Sequence, residues 1–312
     1  MTLFPLPFAW RRAGAALLAL GLALACATPG PPALEARETG QLVFWEVRGA
    51  DGARAWLMGS VHFGSGDHAY DPAIQSAFAE ADTVVMEVTP EEMDPTAMVQ
   101  VLLERGLLPD GQTLDQVLEP ETYERLQKSL AAQGLPAAGY MRMKPWVLVL
   151  TLAAQQFAAQ GYQPEAGVDH HFQVRAQGDA KPVVGLERVD EQIDAFDAMS
   201  PQAQEQALAG LLEAEEGDLS LETLLDAWSK GDLETLQAIV FQDLGEDPDL
   251  DAMYEALYFA RNRRMSDGVA ELMEPGDDLF VVIGAGHMLG EEGVPALLAE
   301  RGFQVRRVPK TP

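Results

Sequence analysis

DLFVVIGAGHMLG, residues 278–290, decides how the rest of the chain is read. Residues 279–283 form an unbroken apolar run rich in β-branched side chains, the composition of a strand covered on both faces. The run gives way to Gly284, Ala285 and Gly286, small residues that let other groups approach the backbone, and then to His287. The same order recurs near the start, where apolar residues 55–58 lead through Gly59, Ser60 and Val61 to His62. In an open α/β sheet, ligands collect beyond the carboxyl ends of the strands. Two strands that each end in an imidazole can therefore place both rings at one site. The GxxH spacing alone is a weak signal, since the five histidines supply a third match, Gly167 to His170, that lacks the strand in front.

A chain of 312 residues can bury a full core as one large or two modest domains. Residues 1–25 read as a signal peptide: Arg11 and Arg12 precede a short apolar stretch, residues 13–25, too short for a membrane span. Cys26, the single cysteine, follows at once. Ala23, Leu24 and Ala25 before it fit a bacterial lipobox, so Cys26 is the expected lipidation site and residues 26–41 a lipidated, Pro-rich tether. Once processed, the protein has no cysteine for an internal disulfide and must rest on its core. The expected address is export as a lipoprotein, on the periplasmic face of the outer membrane if the host is Gram-negative, because Ala27 is not the aspartate associated with inner-membrane retention.

The net charge is −28, and removal of two leader arginines with no acids takes it to −30. So acidic a chain excludes nucleic acid as a partner. The acidic groups concentrate at residues 213–222 and 246–251, read as solvated helix faces and turns, without the spacing of a calcium loop.

Residues 42–47 and 55–58 read as a hairpin, residues 71–81 as a helix capped by Asp71, and residues 83–88, TVVMEV, as a second buried strand. Glu87 near the end of that strand would be costly to desolvate unpaired, so it requires an arginine, backbone amides, a metal or a proton in transit. Helices are expected over residues 93–107, 114–118, 120–133 and 145–160, the last apolar almost all round and hence buried. Residues 167–176 carry Asp169 and two histidines on a helix, and residues 182–186 form a third short buried strand ending in Glu187. With Arg188 next to it, Glu187 reads as an ion-paired or capping residue that supports the chemistry rather than performing it. Further helices are expected at 190–197, 201–215, 221–230, 233–242, 250–258, 261–273 and 291–300, with a last strand at 303–308. Arg261, Arg263 and Arg264 around Asn262 read by default as an exposed ion-paired face, with one arginine able to aim at a substrate carbonyl or carboxylate. The fold class is α/β (α+β): a mixed central sheet assembled from N- and C-terminal segments, with a large helical middle capping the strand ends.

GSVH at Gly59, the VVMEV glutamate, GVDHHFQVRAQGDAKPVVGLERVDEQ from Gly167, RNRRM and GAGHMLGEEGVPALLAERGFQVRRV together resemble the TraB/GumN family over roughly residues 42–308. The resemblance implies a single domain over 42–309, with a helical cap over about 90–270. The family is similar to the Tiki proteins, membrane-associated metal-dependent proteases that share two GxxH motifs and a glutamate. It implies Gly59 and His62 as the first motif, Glu87 as the glutamate, and Gly284 and His287 as the second. Asp169, Glu187, Arg261 and Asn262 fit recurrent family positions, the first two as supporting residues and the last two as candidate substrate contacts.

The expected function is a metal-dependent hydrolase, a peptidase, in which His62 and His287 ligate a divalent ion and Glu87 is a third ligand or the general base. Two imidazoles and a carboxylate suit zinc, manganese or cobalt, and the resemblance leans toward the last two. The expected partners are a peptide or other small-molecule or polymer substrate, and a membrane reached through the lipid anchor. Two alternatives stand beside this: a non-catalytic periplasmic lipoprotein using the histidines for haem or another small ligand, and metal-free hydrolysis by histidine and glutamate.

Overall fold

The computed structural model describes residues 36–66, 69–93, 95–213, 221–242 and 244–312. The leader, Cys26 and most of the acidic run at 213–222 lie outside the described residues.

The apolar run that opens the reading is strand β5 (Asp278–Gly284), buried except at Asp278. It lies inside a six-stranded sheet of order β4-β3-β5-β2-β1-β6. On one side β5 pairs in parallel with β2 (Arg54–Ser60), from Arg54 opposite Asp278 to Ser60 opposite Gly284. On the other it pairs in parallel with β3 (Thr83–Met86), whose Met86 stands opposite Val282. β4 (Val183–Gly185) extends the parallel half beyond β3, and β1 (Gln41–Arg48) runs antiparallel to β2. At the far edge β6 (Gln304–Pro309) is antiparallel to β1 and largely exposed, with Arg306 and Arg307 placing charge on an edge that could otherwise template aggregation. The sheet is thus mixed and drawn mainly from the two ends of the chain. β4 is its one contribution from the helical middle.

The register has a direct consequence for function. Because β2, β3 and β5 are parallel and in step, the residues that follow them, His62, Glu87 and the turn to His287, leave the sheet at one edge. At the opposite ends of β2 and β5, Arg54 clamps Asp278 through Nε at 3.0 Å.

One face of the sheet is covered by α1 (Pro72–Glu80) and α6 (Val168–Gly178), through Phe78 and Phe172 packed on Phe280 at centroid separations of 5.3 and 4.8 Å. The long middle supplies α2 (Pro95–Arg105), α3 (Leu114–Val117), α4 (Pro120–Ala132), α5 (Pro145–Ala159), α7 (Val189–Asp197), α8 (Pro201–Glu213), α9 (Leu221–Lys230) and α10 (Leu233–Val240). As its composition requires, α5 is buried over most of its surface, with α8 packed against it. Among the described residues no helix is long and apolar enough to cross a membrane.

Two segments differ from the sequence expectation. The helices expected at 250–258 and 261–273 are one continuous run: α11 (Pro248–Tyr254), a π-helical stretch (Glu255–Phe259) and α12 (Ala260–Leu272). π-Helical turns recur at functional sites because they rotate the side chains that follow them. The helix expected from 291 begins only at Val294 as α13 (Val294–Glu300), since residues 285–288 are wound into a 3₁₀ turn that carries His287.

Candidate functional site

The parallel strands β2 and β5 carry their histidines to adjacent positions, and each ring is held from behind by a different element. Beyond β2, the Val61 carbonyl accepts from Val168 N–H at 2.8 Å, which ties the start of α6 to the strand end. Gly167 lies so close that a Cβ there would come within 2.5 Å of the His62 carbonyl oxygen. This contact sets Asp169, in the first turn of α6, against His62, with Oδ2 3.2 Å from Nδ1. The ring N–H is not aligned on the carboxylate, so the link is electrostatic attraction more than a formed hydrogen bond. Both side chains are buried.

His287 is held by a neutral amide instead. Asn262 donates Nδ2–H to the Glu292 carbonyl at 2.8 Å, which turns its Oδ1 toward His287 Nδ1 at 2.5 Å. That oxygen can only accept, so His287 carries its proton on Nδ1 and presents a lone pair at Nε2. The 3₁₀ turn is pressed onto the π-helical stretch, where a Cβ on Gly286 would meet the Tyr258 ring at 2.6 Å. Neither Nε2, of His62 or of His287, is hydrogen-bonded to a described residue.

Glu87 lies between them at the end of β3. Its Oε1 accepts from Gly284 N–H at 2.7 Å and stands 3.9 Å from His287 Nε2, while Oε2 accepts from Arg261 at 2.9 Å and Gln192 at 3.1 Å. A Cβ built on Gly284 would meet Glu87 Oε1 at 3.2 Å, His62 Nε2 at 3.3 Å and the His287 ring at 3.6 Å. Glycine at 284 is what leaves room where the three functional groups converge.

Arg261 joins Glu87 to Glu187. Its Nε is 3.1 Å from both Glu187 oxygens, a terminal nitrogen contacts Glu187 and Glu87, and the other donates to the Leu257 carbonyl at 2.9 Å. Gln192, on α7, adds a bond to Glu187 at 2.8 Å with the nitrogen that it offers Glu87. Arg261, read from sequence as a candidate substrate contact, thus spends its guanidinium inside the protein, and Asn262 orients His287. Adjacent residues on a helix point about 100° apart, which lets one turn serve both a carboxylate pair and an imidazole. Glu187 is paired with Arg261 and not with its neighbour Arg188, whose side chain is exposed and bonded to Asp190 at 3.0 Å. Arg263 and Arg264 lie on the exposed face of α12. His170, in the GxxH match that lacks a strand, sits apart with Nδ1 2.9 Å from the Glu165 carbonyl. Gln192 closes one of the quoted sequence blocks, yet nothing in its spacing marks it. Tyr258 gave no signal either.

The electrostatics separate the two histidines. Burial, then the nearby Arg261 charge, push the His287 pKa well below its ordinary value and keep the ring a neutral donor of its lone pair. Burial acts the same way on His62, but the Asp169 and Glu87 charges outweigh it and leave the His62 pKa raised. A raised histidine pKa contributes stability that is fully present below the unfolded value near 6.5 and fades as the pH rises through the folded value. The melting-temperature advantage of the parent over His62→Gln, measured without metal, is therefore expected to be largest below about pH 6.5 and to shrink as the pH rises above it. An advantage that grows with pH would show that Asp169 does not govern His62.

Among the described residues no three His, Cys, Asp or Glu side chains stand gathered to hold a metal ion as they are. What the site offers is two oriented imidazole lone pairs, with Glu87 already committed to three donors through its two oxygens. This donor set fits a divalent ion through the histidines, with Glu87 Oε1 3.9 Å from His287 Nε2 as a neighbouring carboxylate.

The TraB/PrgY/gumN family matches the chain over residues 43–307, a span that takes in every residue of this cluster. The chain belongs to that family. Similar curated proteins include the uncharacterized protein YbaP of Escherichia coli (strain K12), 26% identical over 254 residues that cover 78% of this chain and 86% of the relative. Metalloprotease TIKI1 of Danio rerio is 26% identical over 288 residues, covering 75% of this chain and 56% of the relative. Metalloprotease TIKI2 of the same fish is 24% identical over 285 residues, covering 75% and 54%. No solved structure matches the chain. Membership of the TraB/PrgY/gumN family, with distant similarity to the Tiki metalloproteases, is as expected from the two GxxH motifs and the strand glutamate.

Proposed function

We propose that this family member is a metal-dependent hydrolase of the bacterial envelope that cleaves peptide bonds. The observation that carries the reading is the convergence on Gly284 of His62 Nε2, the His287 ring and Glu87 Oε1, all within 3.6 Å of where a Cβ there would lie, with His287 Nε2 3.9 Å from Glu87 Oε1. The charge balance supports it, since three carboxyl groups, Glu87, Glu187 and Asp169, are buried around the cluster and one buried guanidinium, Arg261, pairs with the first two only. A cluster with that excess of acid favours a cation. The distant similarity to the two Danio rerio metalloproteases points the same way.

Manganese, cobalt or zinc held by His62 and His287, with Glu87 beside it or as third ligand, would supply an acidified water and polarise a carbonyl. Asn262 engages His287 at Nδ1 and the Asp169 charge lies on the Nδ1 side of His62, so on each ring Nε2 is the nitrogen left for a ligand. Arg261 and Gln192 hold Oε2 of Glu87, which leaves Oε1 beside Gly284 to take the proton of the attacking water and return it to the leaving amine. Burial of the whole set limits competing solvent. The His62–Asp169 pair also favours a second reading, in which His62 and Glu87 act as acid and base without a metal.

Metal analysis of the purified parent beside a His62→Ala, His287→Ala double variant tests the proposal, together with digestion of a peptide library in added manganese, cobalt and zinc. The parent is expected to hold metal and cleave, and the double variant to do neither; equal metal content in both sinks the metal reading. Cleavage that survives chelation moves the chemistry to His62 and Glu87 alone, and a histidine-dependent Soret shift with haemin in place of cleavage makes the protein a haem binder. We place the enzyme, through lipidation at Cys26, on the periplasmic face of the outer membrane in a Gram-negative host.

A further inference from the structure

A cavity of about 410 Å³ opens at the sheet edge that carries the histidines. Leu42 and Val43 of β1, Met58 of β2, Tyr70 and Ile74 around the start of α1, and Trp228 of α9 wall it. Because β1 runs antiparallel to β2, with Phe44 opposite Met58, the start of β1 lies beside the end of β2 that leads to His62. Two contacts join the cavity to the catalytic cluster. The Trp228 indole donates to the Gly59 carbonyl at 2.7 Å, three residues before His62. Tyr70 packs on His171 with ring centroids 4.4 Å apart, His171 lies two residues beyond Asp169 on the same helix, and burial together with the Asp169 charge pushes the Tyr70 phenol up.

The charged groups at the rim are already engaged. Asp71 accepts from Ala73 N–H at 2.8 Å and from Thr311 through both backbone and side chain, and Lys310 is bonded to Glu38 at 2.6 Å. No rim charge is left over to select an ionic ligand, and a net charge of −28 repels anions. An uncharged apolar group is what such walls can hold, and the volume lies in the range of small-ligand pockets.

The path of the chain argues for the same occupant. Residues 36–40 run beside wall residues of the cavity, with the Ala36 carbonyl 3.2 Å from Nζ of Lys230, the neighbour of Ser229, and Glu38 bonded to Lys310. Nine residues separate Cys26 from Ala36, a reach of about 35 Å when extended. A chain lipidated at Cys26 therefore keeps this cavity close to the bilayer, where acyl chains and apolar side chains are plentiful.

We propose that the cavity binds an uncharged aliphatic group presented by the substrate and so sets the specificity of the neighbouring centre, a role that rests on the hydrolase reading for the word substrate but not for the binding. Titration calorimetry with N-octanoyl-glycinamide, an uncharged aliphatic probe, tests it on the parent and on two variants that plug the exposed mouth, Ala69→Trp and Ser229→Trp. The parent is expected to bind saturably, both plugged variants at least tenfold more weakly at unchanged melting temperature, and the His62→Ala, His287→Ala double variant as well as the parent. In library digestion the plugged variants are expected to lose a preference for aliphatic residues near the scissile bond while still cleaving other peptides. Lack of saturable binding by the parent, equal binding by both plugged variants, or an unchanged cleavage preference overturns the proposal. Probe binding without any cleavage by the parent defeats the hydrolase reading alone and still supports an aliphatic site.

Discussion

Arg261→Met is expected to destabilise the protein by about 3–5 kcal/mol, enough to unfold many domains. The side chain is only 3% exposed and is the shared partner of Glu87 and Glu187, both buried as deeply. Methionine fills much of the same volume, so the loss measures charge rather than a cavity. With the guanidinium gone, only Gln192 and the Gly284 amide are left to two buried carboxyl groups. Adding Glu187→Gln to Arg261→Met removes one stranded charge and is expected to recover part of the loss, seen as a favourable coupling energy in a double-mutant cycle followed by urea unfolding. Glu187→Gln on its own leaves Arg261 paired with Glu87, and is expected to lower stability more than turnover. If Arg261→Met unfolds within about 1 kcal/mol of the parent, the guanidinium is not what holds the two carboxyl groups together.

Gly284→Ala is expected to have the opposite character, a folded protein with little activity. Gly284 has φ −52° and ψ 140°, which alanine adopts without strain. The new methyl would lie 3.2 Å from Glu87 Oε1 and 3.3 Å from His62 Nε2, so both groups must give by a few tenths of an ångström. Stability is expected to fall by about 1–3 kcal/mol, in the range of ordinary overpacking. Turnover is expected to fall by roughly a hundredfold, because reacting groups tolerate little displacement. Metal content and kcat measured beside the melting curve separate the effects. A variant as active as the parent would mean that the groups around Gly284 are not the reacting ones.

The strands and the residues at their ends were legible in the sequence because both are local. An apolar β-branched run that gives way to glycine and histidine states its own conformation, and the buried Glu87 announces its need of a partner wherever it sits. The parallel register of β2, β3 and β5 then brings His62, Glu87 and His287 to one edge, as strand ends in open sheets do. The chain alone therefore determined which side chains converge.

Only the tertiary structure decided what holds them. Glu87 lies 174 residues from Arg261 and 105 from Gln192, and Glu187, flanked by Arg188 in the chain, turns to Arg261 instead. Asp169 reaches His62 because Gly167 lets α6 dock on the end of β2, and Asn262 reaches His287 because a π-helical stretch sets the phase of α12. Each of these pairings is fixed by where helices land on the sheet. That landing is a sum over many dispersed apolar contacts, whereas a strand and its terminal residue are written in a few neighbouring letters.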